Sequence, residues 1–424
     1  MKIAFIVGQF PLLSETFIIN QITGLRDRGH EVDIYADQPG DLTKLHDDVI
    51  NYNLLDHTTY FSKIPNNLVW RAIEGSNLLI TKLFQNPAKT LEAINIFKHG
   101  KSALSLWLLY SLVPQLKQEY DIIHCQFGTA GFRGIAFQTI HSPQAKLITI
   151  FRGRDISNFV KERGENVYNP LFQRGDYFLA NCDFFKKRVL QLGCPADKIK
   201  VHGSGLDCQR FPFQTRDFPA DNLIRIATTG RLVEKKGIEY SIRAVAQVQK
   251  QYPNLEYIIV GEGELRPHFE QLIQELNATK IIKLVGQKSH KELIEILTQS
   301  HLFIAPSVTA QDGDQDAPVN VLKEAMATGL PVISTTHGGI PELVEDNISG
   351  FLVPERDADA IAQKLIYLIE HPERWPEMGR AGRNCVEAHY DLNRLNDALV
   401  HLYQSLLSLN SKSASETVFS VTTS

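Results

Sequence analysis

The stretch over residues 301–345 places the tightest constraint on the fold, because short apolar and polar segments alternate along it. Residues 301–305 form an apolar run followed by proline and serine, which is typical of a buried strand. After a polar loop, residues 319–328 predict a helix with proline before it and glycine after it. Residues 330–335 predict a second buried strand, and a glycine turn leads to a helix over residues 340–344. This order predicts a parallel sheet with helices between its strands.

The loops of this stretch carry its candidate chemistry. In an open parallel sheet, ligands bind outside the carboxyl ends of the strands, so we expect both loops to face one crevice. Helix N-termini direct unpaired backbone N–H groups into such a crevice. The carboxylate of Glu324 repels phosphate, but it can accept hydrogen bonds from the two vicinal hydroxyls of a ribose, each contributing about 1.5–3 kcal/mol. The stretch therefore predicts a nucleotide site.

The composition is that of an ordinary globular protein. The 424 residues allow about two or three domains, and 43% hydrophobic and 22% charged residues are usual values. A net charge of -4 argues against nucleic acid as a partner. Five cysteines without a C-x-x-C pair disfavour a disulfide framework or a zinc knuckle and favour a reducing cytosol. Without a signal peptide or a long apolar span, the expected location is cytoplasmic.

The N-terminal half begins with a predicted strand over residues 2–7, a helix over residues 14–28 and a further strand. Together they form a β-α-β unit. The loop after Gly8 lacks the glycine fingerprint of dinucleotide-binding proteins. Ser14 suits the N-cap of the helix, and Glu15 suits the positive end of the helix dipole. Considered alone, these two residues are more simply explained as the start of a helix.

Residues 61–120 predict helices with apolar stripes that include Leu104, Trp107 and Leu108. The segment holds seven Lys or Arg against three Glu. A basic helical surface with tryptophan could rest on anionic lipid at the inner face of the membrane. Packing in the core is the preferred explanation, because the charges do not form one tight cluster.

Two later strands of this half end in polar residues. We expect His124, at the carboxyl end of the first, to face the crevice, where it could hydrogen-bond a sugar hydroxyl. Gln126 follows it and can donate a hydrogen bond but cannot take up a proton near pH 7. The strand over residues 146–151 leads to Arg152, which could contact a phosphate, and to Asp155, which could accept from an acceptor hydroxyl. An ion pair within that loop is an equal alternative.

The C-terminal half carries a cationic turn. A strand over residues 223–229 is followed by Gly230, Arg231 and, five residues after Arg231, Lys236. An arginine can contact two phosphate oxygens at once while a lysine supplies a point charge, so this pair suits a pyrophosphate. Such cations also stabilise the negative charge that develops on a departing nucleoside diphosphate. A solvated turn is the simpler alternative.

A second glycine-rich turn, at Gly261 and Gly263, imitates a dinucleotide fingerprint. Arg266 replaces the third glycine, and the glutamates between would repel a pyrophosphate, so we reject that interpretation. Gly286 ends a further strand, and its loop could meet the base of a nucleotide.

Several of these motifs together resemble one enzyme family. The segment from Asp316 through Glu324 to Gly329 resembles the E-x7-E region of the retaining, nucleotide-sugar-dependent glycosyltransferases of family 4. The first loop, from Phe10 to Phe17, resembles the subgroup that builds exopolysaccharides, which includes colanic-acid transferases. Asp316 stands where the family usually has its first glutamate, and Gln126 stands in place of the second histidine of an H-x-H motif.

The resemblance implies the α/β GT-B fold, in which two Rossmann-like doubly wound parallel-sheet domains face a central cleft. Residues 1–212 would form the acceptor-binding domain and residues 222–390 the nucleotide-sugar-binding domain, with a linker over residues 213–221. A helix over residues 391–409 would cross back to the first domain. The hydroxyl-rich tail over residues 411–424 is expected to be disordered.

The implied activity is transfer of a sugar from a nucleoside-diphosphate sugar to a glycan or lipid-linked acceptor, with retention of anomeric configuration and without a metal or other cofactor. The implied catalytic group and donor contacts are Arg231, Lys236, Glu324, Asp316, His124 and Gln126, with Gly8, Gly230, Gly286, Asn320 and Val321 beside the donor. The implied acceptor-side residues are Ser14, Glu15, Arg152 and Asp155.

Three alternatives remain open. The departures at Asp316 and Gln126 also suit a catalytically weakened nucleotide-sugar-binding partner protein. A nucleotide-sugar epimerase could use the same architecture and would need no acceptor. A dehydrogenase is the least favoured class, since the glycine fingerprint is missing.

Overall fold

The computed structural model describes residues 1–12, 15–43, 45–112, 118–315 and 319–421, with side chains described through residue 408. Within these ranges the chain forms two domains, each built on one parallel β-sheet. Ser14 and Asp316, both predicted site residues, lie outside the described residues, as does Pro318.

The N-terminal domain contains a parallel sheet with the strand order β3-β2-β1-β4-β5-β6-β7. Its strands are β1 Lys2–Phe10, β2 Glu31–Pro39, β3 Thr58–Tyr60, β4 Ile122–Gln126, β5 Lys146–Phe151, β6 Tyr177–Ala180 and β7 Ile199–Val201. Its helices are α1 Thr16–Asp27, α2 Asp47–Asn51, α3 Leu68–Gln85, α4 Pro87–Ala93, α5 Ile96–His99, α6 Lys101–Leu104, α7 Trp107–Ser111, α8 Gly128–Ile140, α9 Asn158–Arg163, α10 Asn169–Arg174 and α11 Asp183–Gln191.

The C-terminal domain contains a second parallel sheet with the strand order β10-β9-β8-β11-β12-β13. Its strands are β8 Ile224–Thr229, β9 Leu255–Val260, β10 Ile282–Leu284, β11 Leu302–Ala305, β12 Val332–Thr335 and β13 Gly350–Val353. Its helices are α12 Ile238–Val248, α13 Arg266–Glu275, α14 His290–Gln299, α15 Asn320–Ala327, α16 Ala358–Glu370 and α17 Trp375–His389, and the last helix is α18 Leu392–Val421.

The strand orders explain the apolar runs in the sequence. Strands β4 and β11 lie inside their sheets and are covered by helices on both faces, so all their residues are buried. Parallel strands of this kind are expected to be apolar without alternation. In both sheets the order reverses beside the first strand, and the loops at that point open toward the other domain. The predicted fold class is confirmed.

The segment between the domains packs on the C-terminal one. Arg216, predicted to lie in a polar linker, is buried and donates to the carbonyl oxygens of Leu297 and Thr328 at 3.3 and 2.9 Å. The backbone N–H of Gln214 also donates to Thr328, at 3.1 Å. Hydrogen bonds therefore hold the first part of the linker on the C-terminal domain.

Helix α18 returns to the N-terminal domain. Leu399, Tyr403 and Leu406 are buried in the core on one face of the first sheet, and Arg28, directly after α1, forms a 2.7 Å ion pair with Asp397. The helix continues over residues 411–421, where the sequence predicted disorder. Once a helix is nucleated, each added residue gains a hydrogen bond, which favours continuation from an anchored start.

Residues 61–112 differ from the predicted core helices. Leu108 is buried as expected, but Leu104 is exposed, and so are most of the large apolar side chains of α3. The preference for core packing is therefore wrong for α3 to α6. Helix α3 packs on the rest of the domain through the face that carries Gly75, and its other face is left exposed.

The segment after β12 also differs from its prediction. Residues 340–344 were expected to form a helix, but only one 3-10 turn forms, over Ile340–Glu342. The last residue of this turn, Glu342, bonds across to the other domain, as described below.

Candidate active site

A cleft of about 530 Å³ lies between the two domains. Its lining residues come from loops at the carboxyl ends of strands in both sheets, as expected for this fold class. The structure brings seven of the predicted site residues into this cleft: Glu15, Arg152, Gly230, Arg231, Lys236, Asn320 and Val321. Its volume is within the usual range for a small-molecule site.

A second cavity adjoins the cleft on the side of the C-terminal domain. Glu324 lines it together with Gln287 and Lys288. Gly230, Arg231 and Val321 line both cavities, so the two form one groove that runs from the domain boundary to Glu324. The backbone of Gly286 lies immediately before Gln287 but does not itself line the groove.

The cationic turn depends on local backbone geometry. After β8, a 3-10 turn over Glu234–Lys236 leads to Gly237, whose φ of +60° is left-handed. A side chain at Gly237 would also collide with the carbonyl oxygen of Pro306. This glycine lets α12 begin directly behind Lys236. The Arg231 guanidinium forms no hydrogen bond or ion pair with any described residue, and it is exposed in the groove.

Glu324 lies on α15, one turn from the helix N-terminus. Burial raises the pKa of its carboxyl group to about 7, and the charges of Lys323 and Lys236 oppose that rise. Glu324 is partly exposed where it lines the groove. Its carboxylate can therefore accept hydrogen bonds from a ligand.

Lys323 is a site residue that sequence reasoning missed. Its side chain is only 1% exposed, and its ammonium donates to the carbonyl oxygen of Ser204 at 2.8 Å and to the Asn320 side chain at 3.1 Å. Burial, followed by the charge of Arg152, lowers the pKa of Lys323 to about 7. In the sequence, Lys323 could have been recognised because it is a lysine among the apolar positions of the predicted helix. Lys323 links α15 to the N-terminal domain.

Arg152 forms the floor of the cleft on the N-terminal side. Its guanidinium donates to Gln126 at 3.0 and 3.2 Å and to the Ser204 hydroxyl at 2.8 Å, and it lies 4.2 Å from the ring centroid of Phe17. Burial lowers its pKa to about 10, and the charges of Asp155 and Glu15 oppose that change. The side-chain oxygen of Gln126 therefore positions the buried guanidinium of Arg152. This contact explains why position 126 holds an amide.

Asp155 does not face an acceptor. One carboxylate oxygen accepts from the N–H of Gly128 at 2.7 Å, and the other accepts from the N–H groups of Arg152 and Gly153 at 3.2 and 2.8 Å. The prediction of an acceptor contact at Asp155 is wrong, and so is the alternative of a surface ion pair. The residue instead holds the loops after β4 and β5 together.

His124 does not face the crevice either. It is fully buried, and its Nδ1 lies 2.6 Å from the Tyr403 hydroxyl of α18. Burial holds the pKa of its imidazole well below 6.5. That prediction is wrong because helix α18 covers this face of β4.

Glu15 connects the cleft to a third cavity, which lies within the N-terminal domain. Gly8, Gln126, Trp107 and Arg133 also line that cavity. Gly8 was predicted beside the donor, but it lies on this side and not among the residues of the interdomain cleft. Burial raises the pKa of Glu15 to about 7, and the charge of Arg152 opposes the rise.

Hydrogen bonds hold the two domains around the cleft. The Glu342 carboxylate accepts from the N–H groups of Asp183 and Phe184, both at 2.7 Å, at the N-terminus of α11. Asn158 donates to Asp312 at 2.8 Å, across the mouth of the cleft. An anion at a helix N-terminus is favourable, so Glu342 stabilises this arrangement of the domains.

The charge of the cleft is mainly positive, with Arg152, Arg154, Arg231, Lys235 and Lys236 against Glu15 and Asp314. Such a surface suits a pyrophosphate, and the carboxylate of Glu324 at the far end of the groove suits hydroxyls. Two parallel-sheet domains that face a cleft define the GT-B fold, and a cationic groove that ends at a carboxylate is the arrangement expected of a nucleotide-sugar-dependent glycosyltransferase.

Comparisons with known proteins agree with this class. The model of the family described as Glycosyltransferase Family 4 matches residues 14–210, and that of Glycosyl transferases group 1 matches residues 213–385. A relative from Escherichia coli (strain K12), named as a colanic acid biosynthesis glycosyltransferase, WcaL, is 35% identical over 96% of this chain and 100% of its own length. The amylovoran biosynthesis glycosyltransferase AmsK of Erwinia amylovora is 34% identical over 92% of this chain and 96% of its own.

The chain belongs to glycosyltransferase family 4, and it is related to enzymes of exopolysaccharide biosynthesis. Among solved structures, Anabaena Alr3699/HepE in complex with UDP superimposes with a TM-score of 0.69 and 18% identity, over 96% of this chain and all of that chain. Across the described residues, none of the helices combines the length and the apolar character needed to cross a bilayer.

Proposed function

We propose that this enzyme moves a sugar from a nucleoside-diphosphate sugar to a glycan or lipid-linked acceptor, with retention of anomeric configuration, in exopolysaccharide or cell-surface glycan biosynthesis. One observation carries the proposal: Arg231, Lys236 and Glu324 line a single groove. The relatives named for colanic acid and amylovoran support the pathway class. The Anabaena structures with UDP and UDP-glucose support the donor class.

The donor would lie along the groove. The two ribose hydroxyls would donate to the carboxylate of Glu324, while Arg231 and Lys236 contact the diphosphate. Arg231 is suited to this contact because its guanidinium is exposed and forms no bond with the described protein. As the bond between sugar and diphosphate breaks, both cations stabilise the charge on the departing nucleoside diphosphate without a metal ion.

The sugar would lie near the N-terminus of α15. The backbone N–H groups of Asn320 and Val321 are at the first turn of that helix and line the cleft. Hydroxyl groups of the sugar can accept from such unpaired donors. Asp316, one residue of the predicted sugar contact, lies outside the described residues, and its role stays a prediction.

The acceptor would enter through the cavity of the N-terminal domain. Glu15 lines both this cavity and the cleft, so it marks the place where the acceptor hydroxyl would meet the donor. The hydrogen bonds between the domains would exclude water at that point and favour transfer over hydrolysis. The proposed place of action is the cytoplasm or the cytoplasmic face of the membrane.

The test is a transfer assay with pooled nucleotide sugars and lipid-linked acceptors. We expect product from the native enzyme and at least a tenfold loss of donor affinity in Glu324→Ala, because two charge-assisted hydrogen bonds disappear. The matched control is Glu295→Ala, which removes an exposed glutamate from α14, away from the groove. Unchanged transfer and donor binding in Glu324→Ala would contradict the assigned site.

The same assay separates the alternatives. Tight donor binding by calorimetry without any turnover would identify a binding partner that has lost catalysis. A new nucleotide sugar formed from the donor alone, without acceptor, would identify an epimerase. Release of free nucleoside diphosphate only when an acceptor is present supports transfer.

A further inference from the structure

Large apolar side chains are exposed on one part of the surface. In the described residues, eleven of the sixteen exposed large apolar side chains lie between residues 68 and 104, on α3 to α6. Phe84 is 86% exposed, Leu104 67% and Trp70 60%. Single exposed apolar residues are ordinary, but a contiguous group of this size marks an interaction surface.

Helix α3 is amphipathic with its apolar face turned outward. Val69, Ile73, Ile80 and Phe84 follow one another at intervals of four, seven and four residues, which places them on one face of a helix. All four are exposed.

The opposite face of α3 fixes the helix to the protein. Gly75 is buried there against Leu106 and Tyr110, and the Tyr110 hydroxyl donates to the carbonyl oxygen of Arg71 at 2.6 Å. Packing of α3 therefore does not depend on its outward apolar face, so that face is available for a partner.

The net charge of residues 61–112 indicates which partner the exposed apolar surface would bind. Residues 61–112 contain six Lys or Arg and two Glu, a net of +4, in a chain whose net charge is -4. The rest of the chain therefore carries -8. A second copy of the chain would place two positive surfaces against each other, whereas an anionic lipid surface complements the charge and accepts the apolar side chains.

We propose that the outward face of α3 to α6 docks this protein on an anionic lipid bilayer. The apolar side chains enter the boundary between headgroups and acyl chains, and the exposed Lys98 and Lys101 lie beside anionic headgroups. The helices lie along the surface and do not cross it.

The position of this face also fits the proposed acceptor, although docking does not depend on that function. Trp107 begins α7, which packs against α3, and it lines the cavity of the N-terminal domain. Docking would therefore turn the mouth of that cavity toward the membrane, where a lipid-linked acceptor is held.

Sedimentation with vesicles tests the proposal without any activity measurement. The full-length protein is mixed with vesicles of phosphatidylcholine alone or of phosphatidylcholine with 30 to 40% phosphatidylglycerol, roughly the range at which the surface potential is strong. We expect the protein to sediment with the anionic vesicles and to remain in the supernatant with the neutral ones.

Two variants and one control make the result specific. Replacing Ile73, Ile80 and Phe84 together by serine should lower partitioning into anionic vesicles by about tenfold or more. Replacing Lys98 and Lys101 by glutamine should lower it by about fivefold for each charge, the factor for about 1 kcal/mol per basic residue. The control, Ile50→Ser with Ile348→Ser, removes exposed apolar side chains elsewhere and should change nothing.

Three results would overturn the proposal. The first is failure of the native protein to bind anionic vesicles. The second is equal binding of the triple serine variant when its melting temperature matches that of the native protein. The third is a native dimer that becomes a monomer in the triple serine variant, because this face would then be an interface between two copies. If the native protein binds anionic vesicles but shows no transfer activity, that result contradicts the proposed function and leaves the docking proposal standing.

Discussion

Replacement of Glu324 by glutamine should stabilise the protein and weaken its function at the same time. Burial raises the pKa of Glu324 from an ordinary value of 4.5 to about 7. The folded protein therefore holds a proton on this group between those two pH values, whereas the unfolded chain does not. The free energy of unfolding must fall as the pH rises through this interval, and the loss is complete above pH 7.

The size of the effect follows from the same two pKa values. Each pKa unit corresponds to about 1.4 kcal/mol, so the ionised carboxylate lowers the free energy of unfolding by about 3 kcal/mol at pH 8. Glutamine has nearly the same shape but no charge. The variant should exceed the native protein in stability by up to about 3 kcal/mol at pH 8 and should equal it near pH 4.5.

Donor binding should change in the opposite direction. A charge-assisted hydrogen bond is about twice as strong as a neutral one. Loss of the charge from two ribose contacts should therefore weaken binding by about 2 kcal/mol, or roughly thirtyfold in dissociation constant. The measurements are urea unfolding at pH 5 and pH 8 and calorimetric titration of the donor identified in the transfer assay.

Two results would refute this reasoning separately. If Glu324→Gln is no more stable than the native protein at pH 8, ionised Glu324 does not destabilise the fold through burial. If donor affinity is unchanged, the ribose does not contact this carboxylate. The charge of Glu324 also raises the pKa of Lys323, so the comparison measures the two groups as a coupled pair.

Three further substitutions test other contacts. Asp155→Asn should lower the free energy of unfolding by about 2 kcal/mol, because an amide cannot accept from all three backbone N–H groups; an unchanged urea midpoint would contradict the proposed linkage of the two loops. Glu342→Gln should favour separation of the domains by about 1 kcal/mol, seen as a larger radius of gyration in X-ray scattering, and an unaltered scattering curve would count against it. Tyr403→Phe should cost about 1 kcal/mol of stability but leave the pH profile of transfer unchanged; a shifted profile would return His124 to the list of candidate bases.

Much of the fold follows from short-range signals. Strand β5, Lys146–Phe151, has the predicted limits, because its apolar run is bounded by residues that cannot continue a buried strand. Helix α15, Asn320–Ala327, was predicted to within one residue at each end, because proline precedes it and glycine follows it in the sequence. The turn with Arg231 and Lys236 was visible because both cations and the glycines around them lie within a few residues.

The errors at His124 and Asp155 have a common cause. Period-two alternation shows that His124 and Gln126 share one face of β4, but it does not show what covers that face. The cover is Tyr403, 279 residues later in the chain. Asp155 was assigned from its place at a strand end, whereas its partners include Gly128, a backbone donor that no side-chain motif records.

The sequence alone determined most of the strands and helices and the two local motifs of the groove, since these depend on residues that are close together in the chain, and the family resemblance of those motifs implied the GT-B class. Only the tertiary structure decided which faces are covered, that Lys323 joins the domains, that Glu342 binds α11, and that the apolar face of α3 is left open. Burial and charge at a residue are set by its neighbours in space, and most of those neighbours are distant in sequence.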